Sequence, residues 1–175
     1  SQVIVKRTLD GDDRNDDGTG LPWFWGMASI NLDDFADESI RTQRLDALKT
    51  YLANPRIIGI KMAHAHQGVA FNDPSLDDLY ALAAEMGTPL LLHTGVSPFP
   101  GTKRDSDYTN PTGLMAAVER FNGLNDDPRV EFVLSHVGTA DAGATKAALE
   151  MTAANDNVWL EISALGQDMI YDIDG

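Results

Sequence analysis

The chain contains no cysteine. Disulfides, thiolate nucleophiles and cysteine-ligated metals are thereby excluded, so any metal must be held by histidine nitrogen and carboxylate oxygen. Basic residues are scarce: 13 Lys and Arg stand against 27 Asp and Glu, a formal net charge of −14 with a pI near 4.4. Such a surface repels phosphate, which argues against a nucleic-acid partner. No apolar run approaches the roughly 20 residues that span a bilayer, so no membrane partner is expected either. The first residues, Ser1-Gln2-Val3, show no signal-peptide pattern, and a soluble cytoplasmic protein is the expectation. Phosphate-binding GxxxxGK(S/T), dinucleotide-binding GxGxxG and nucleophile-elbow GxSxG patterns are all missing, which removes the common nucleotide and serine-hydrolase signals.

What is present is an ordinary globular composition, 43% hydrophobic over 175 residues, enough for one domain with a real core. No internal repeat or linker-like composition divides residues 1–175. Short apolar runs alternate with amphipathic segments, the βαβα pattern of a parallel α/β sheet. Strands are expected near 2–6, 25–30, 57–62, 89–93, 130–135 and 158–162. Asp73-Pro74-Ser75 supplies a helix cap and a proline suited to the first turn. Leu76, Leu79, Tyr80, Ala83 and Met86 follow at helical spacing, and Gly87 closes the helix. Leu45, Leu48, Tyr51 and Leu52 form a second stripe, Leu114, Ala117, Val118 and Phe121 a third. An alanine-rich helix is expected around 140–154, with Leu149 and Met151 as its larger apolar residues.

Two stretches break the alternation. Residues 10–20, rich in Asp and Gly, have no helical pattern where a parallel crossover needs one, so either the chain departs from the pattern here or residues are missing from this point, the second being the expectation. Asp13-x-Asn15-x-Asp17-Gly18 begins like a calcium-binding loop, but Phe24 occupies the position of the bidentate glutamate, and a solvated acidic loop is expected instead. The second stretch, Thr94 to Pro111, is far longer than the roughly 2–6 residues of a usual strand-to-helix loop. It carries Lys103 and Arg104, a cationic pair suited to a substrate carboxylate or simply to solvent.

All four histidines lie at the downstream ends of apolar runs. Carboxyl ends of parallel strands are where α/β proteins gather ligands and catalytic groups. His93 follows Leu90-Leu91-Leu92, and His136 follows Phe132-Val133-Leu134-Ser135, each before a glycine-containing turn. Neutral imidazole is a good ligand for zinc and leaves room for an activated water. His64-Ala65-His66 on a strand would point both rings to one side as a chelate, although the apolar run already closes at Ala63. Lys61, in the same run, either binds a substrate anion, bridges metals if carboxylated, or packs its stem and reaches a carboxylate. Glu161, inside the apolar run 158–162, requires a partner, either a ligating histidine that it orients or an ion pair.

Four blocks resemble consecutive strands of the amidohydrolase superfamily, in particular the branch related to aminocarboxymuconate-semialdehyde decarboxylase. They are Gly59-Ile60-Lys61-Met62-Ala63-His64, Gly87-Thr88-Pro89-Leu90-Leu91-Leu92-His93-Thr94-Gly95, Val133-Leu134-Ser135-His136-Val137-Gly138 and Asn157-Val158-Trp159-Leu160-Glu161-Ile162-Ser163. Trp25-Gly26-Met27-Ala28-Ser29-Ile30-Asn31 is similar to that family's third-strand block, so the likeness covers most of residues 25–163. It implies an α/β fold, a (β/α)₈ TIM barrel with a metal at the carboxyl face and strands two to seven represented in this chain. By resemblance His93 is the fifth-strand metal ligand. His136 is the sixth-strand histidine that ligates metal or serves as acid/base toward water. Lys61 then lies in the fourth-strand block, a position this branch does not generally carboxylate. His64 and His66 fall after that strand, which makes them pocket-lining candidates with Lys61, Lys103 and Arg104. The first-strand H-x-H and the eighth-strand aspartate are not found, and a full barrel takes about 250 residues. A catalytic barrel domain incomplete at both ends is therefore expected.

The resemblance implies a metal-dependent hydrolase that activates water against an amide, lactone or related bond of a small molecule. Zinc is the expected divalent ion, with manganese as the alternative. Two rivals stand beside it: nonoxidative decarboxylation of an unsaturated or aromatic acid, and a non-catalytic binding module built on the barrel. Association into homo-oligomers is left open.

Overall fold

A computed structural model describes residues 25–124 and 128–163. The expected strand at 2–6 and the acidic loop at 10–20 lie outside the described residues.

Among the described residues, five strands form one sheet in the order of the sequence, every neighbouring pair parallel. They are β1 (Gly26–Ala28), β2 (Ile57–Met62), β3 (Leu90–Gly95), β4 (Phe132–Thr139) and β5 (Val158–Glu161). The connections carry α1 (Glu38–Leu52), the one-turn α2 (His64–Gln67), α3 (Asp77–Met86), the short α4 (Ser106–Thr109), α5 (Met115–Arg120) and α6 (Ala142–Ala154). Turns of 3₁₀ helix, Pro74–Leu76 and Pro111–Leu114, lead into α3 and α5. This is an α/β fold with a sequentially ordered parallel sheet, compatible with part of a barrel.

Local chemistry starts and stops the helices where the sequence signals it. Asp37 accepts hydrogen bonds from the amides of Ser39 and Ile40, Asp73 from that of Ser75, and Asp141 from that of Ala144. Gly87 ends α3 in the left-handed conformation, with Thr88 N–H reaching back to the Ala83 carbonyl. The α1 stripe holds at Leu48 and Leu52, but Tyr51 is 66% exposed and belongs to the solvent face.

Alternation along the strands divides the sheet into two faces. Ile60, Leu90, Phe132 and Val158 stand in register across β2–β5 and are buried with helix residues such as Leu48, Leu79 and Val118 in one core. The opposite face carries the register row Lys61, Leu91, Val133 and Trp159, whose indole is 54% exposed. One step toward the carboxyl ends, His93, Ser135 and Glu161 form the next row of that face. Strand alternation thus delivers a histidine, a serine and a carboxylate to one level of the sheet.

β4 extends four residues past the expected end at Ser135. His136, Val137 and Gly138 have φ of 67°, 49° and 71°, and the register with β3 shifts there. The bulge turns His136 out of the simple strand alternation.

Candidate active site

His93 is the centre of a row of three imidazoles. Its ring meets His136 with centroids 5.1 Å apart and His66 with centroids 5.6 Å apart. The ring is buried, and its Nε2 has no hydrogen-bond partner. Burial, reinforced by the neighbouring His136, Lys61 and His66 side chains, holds its pKa down at about 4. His93 is therefore neutral at physiological pH and keeps a nitrogen uncommitted, the state in which imidazole binds a metal.

His136 is held from its other side. Its Nδ1 lies 2.8 Å from the Ser163 carbonyl, 3.1 Å from the Ser163 hydroxyl and 3.7 Å from Glu161 Oε2. A carbonyl only accepts, so in the neutral ring Nδ1 carries the proton and Nε2 presents the lone pair. Glu161 in turn accepts from the Ser163 amide at 2.5 Å and hydroxyl at 2.8 Å. Burial opposes ionisation of Glu161, but these two hydrogen bonds and the nearby His136 outweigh it and hold the carboxyl below its usual range.

Lys61 Nζ donates to Ser135 Oγ at 2.9 Å, which brings the ammonium beneath the His93–Glu161 row. Burial lowers its pKa from the ordinary lysine value, and the Glu161 charge partly offsets this. A cation so placed attracts an anionic substrate group.

The H-x-H pair does not form a strand chelate. Residues 64–67 make one helical turn, in which positions i and i+2 diverge by about 200°. His64 turns inward, fully buried, its ring centroid 4.1 Å from that of Phe71 with the planes tilted by 43° and Nδ1 donating to the Val69 carbonyl at 2.9 Å. It packs beneath the site, whereas exposed His66 faces His93 and Phe99. Lys103 and Arg104 are exposed on the long loop, which is tied to α2 by Lys103 N–H on the Ala65 carbonyl at 2.8 Å. Sequence alone does not single out Ser135 or Ser163. The period-two spacing from Val133 to Ser135 signals the first, but the second reaches His136 only through the loop after β5.

A sequence model of the amidohydrolases matches residues 31–174, well over half of the chain. The protein belongs to the amidohydrolase family. No curated protein matches it. Membership fits an enzyme acting on small molecules, and the family typically uses divalent metals. The donor chemistry is suited to such an ion at one point: two imidazoles converge, and a buried His93 nitrogen lacks any partner. Among the described residues, however, no group of three or more His, Asp or Glu is placed to hold a metal. A catalytic zinc takes three protein ligands, and the described residues bring together two imidazoles, His93 and His136, that such a set could use. Among the described residues, no helix of this amidohydrolase is long and apolar enough to cross a membrane.

Proposed function

We propose that this amidohydrolase is a metal-dependent hydrolase of small molecules, cleaving an amide, lactone or related bond. The observation that carries the proposal is the convergence of His93 and His136, with the buried His93 Nε2 left unpartnered. His93 would hold the ion, zinc first and manganese second, with His136 Nε2 either completing the pair of imidazole ligands or left free as acid/base toward water, one nitrogen serving one of these roles at a time. When bound, the ion would supply Lewis acidity toward water and the substrate carbonyl. With Nε2 free, His136, fixed through Nδ1 by Ser163 and backed by Glu161, moves the proton between water and leaving group. Lys61, His66, Lys103 and Arg104 surround the approach and bind the substrate, and buried His64 supports the turn that carries His66. In barrel numbering, β1 to β5 correspond to strands three to seven, and residues 1–175 belong to one catalytic barrel domain.

Lys61 favours a second reaction on the same scaffold. Its ammonium, bonded to Ser135 beside His93, suits a substrate carboxylate, as nonoxidative decarboxylation in the aminocarboxymuconate-semialdehyde decarboxylase branch requires. One experiment separates the two. Protein loaded with Zn²⁺ or Mn²⁺ is offered a panel of amides, lactones and unsaturated or aromatic acids, and both hydrolysis and CO₂ release are followed. Hydrolysis lost in His136→Asn supports the proposal. CO₂ release without hydrolysis overturns it in favour of the decarboxylase, and failure of the protein to retain either metal overturns both.

A further inference from the structure

His136 sits in an unusual piece of backbone. Three successive residues, His136, Val137 and Gly138, occupy the left-handed region, where a β-branched valine is an outlier. Such conformations persist only where the surroundings over-determine them. The register shows what they accomplish: between the pairs His93–Ser135 and Gly95–Thr139, β3 advances two steps while β4 advances four. The residue on β3 inside that interval is Thr94, fully buried. Its hydroxyl donates to the Ser135 carbonyl at 2.8 Å and accepts from the Gly138 amide at 2.9 Å. These are the residues just before and at the end of the left-handed run.

We propose that Thr94 is a positioning residue for His136, its hydroxyl closing the bulge so that the imidazole is held against His93. A hydroxyl is a donor and an acceptor on one atom, so it satisfies a carbonyl and an amide at once. Valine has the same shape and offers neither. Thr94 also follows His93 directly, so a single residue ties the backbone of one imidazole to the turn that carries the other. The far side of the bulge is fixed separately, by Thr145 Oγ1 on the Gly138 carbonyl at 3.1 Å and by Val96 N–H on the Thr139 carbonyl at 2.9 Å. The Thr94 hydroxyl is the bond that reaches from the β3 side to both Ser135 and Gly138. Its consequence for metal binding rests on the proposed function; its effect on the His93–His136 geometry does not.

The test compares Thr94→Val and Thr94→Ser in the full chain by three measurements. Gly138 amide exchange and the nuclear Overhauser contact between the His93 and His136 rings are read without metal, and Co²⁺ affinity is read from the absorption of the titrated ion. Thr94→Val is expected to lower Gly138 protection at least about tenfold and to abolish the ring contact. Its Co²⁺ affinity should fall about 10–100-fold, the range for residues that orient a ligand. Thr94→Ser should match the parent protein in all three. A folded Thr94→Val that keeps the ring contact, or a Thr94→Ser that loses it, overturns the inference. If Thr94→Val does not fold, the serine variant decides alone: retained protection and ring contact support the role of the hydroxyl, and their loss refutes it. A parent protein that binds no Co²⁺ refutes the metal centre, while exchange and ring contact still decide the role of Thr94.

Discussion

The rings of His93 and His136 meet edge to face, their centroids 5.1 Å apart and their planes inclined by 64°. Neither ring is free to choose that contact. His93 is locked by burial at the end of β3, and His136 is locked by Ser163 and the β4 bulge. A pair fixed from both sides should lose metal affinity in two tiers. His93→Ala removes a proposed ligand, so Zn²⁺ affinity should fall by more than the roughly 10–100-fold typical of an outer partner. Glu161→Gln touches His136 only at 3.7 Å and through Ser163, so it should fall within that range. Competition against a chromophoric chelator measures both. Equal losses would mean that the two residues do not stand in this order around the ion.

His64 makes stability depend on mildly acidic pH. Burial holds its pKa at about 4, although the Val69 hydrogen bond and the Asp73 charge oppose this. The unfolded chain takes up that proton near pH 6.5. Its contribution is thus fully present above about pH 6.5 and is lost progressively as pH falls toward about 4. The difference corresponds to about 3 kcal/mol. His93, also held at about 4, adds in the same direction, so the measurement must isolate one group. Urea unfolding at pH 7.5, 5.5 and 4.5 should show a smaller loss for His64→Gln than for the parent protein. Parallel curves would place the titrating group elsewhere.

Asn157 anchors the start of β5 under the site. It is buried, and its Nδ2 donates toward the carbonyls of Val118, Phe121 and Val130 at 3.1, 3.0 and 3.3 Å. One amide thus serves the end of α5 and the approach to β4. Asn157→Leu fills the volume but withdraws the donor, leaving carbonyls buried without it. The expected cost is about 2–4 kcal/mol in urea unfolding. Asn157→Asp should cost more, because its carboxylate would face the same carbonyl oxygens. If Asn157→Leu unfolds at the midpoint of the parent protein, the donor has no energetic role.

Most of the fold is legible in the sequence because local rules agree with one another. Asp73-Pro74 and Gly87 bracket a helix whose apolar stripe is buried, and the runs at 57–62, 90–92, 132–135 and 158–161 are strands of one parallel sheet. The strand-end histidines and the blocks around them also point to the amidohydrolase family, which the match over 31–174 shows. What sequence hides is set by tertiary contact. Strand periodicity predicts both His64 and His66 on one side, but the chain turns at Ala63 into a single helical turn that sends one ring into the core. Tyr51 keeps helical spacing with Leu48 and Leu52, yet no element among the described residues covers it. The bulge at His136 has no local signal except Gly138, because its hydrogen bonds come from Thr94 and Thr145 on other elements.

Gly95 shows how tightly that bulge is built. It follows Thr94 at the end of β3 with φ of 84°, and a Cβ there would run into the Thr139 carbonyl oxygen and the Gly138 carbonyl carbon. Gly87, with φ of 59°, has nothing within 4 Å of the same hypothetical atom. The two glycines therefore separate conformational strain from steric collision. Gly87→Ala should cost about 1 kcal/mol, the price of placing an L residue in left-handed backbone. Gly95→Ala adds a clash with backbone that no rotamer relieves, and more than about 4 kcal/mol is expected. That approaches the whole stability of a small domain, so soluble yield should collapse for Gly95→Ala and not for Gly87→Ala. Thermal melting of the two variants side by side is the measurement. A Gly95→Ala protein that melts with Gly87→Ala would mean that β3 and β4 do not approach this closely beside His136.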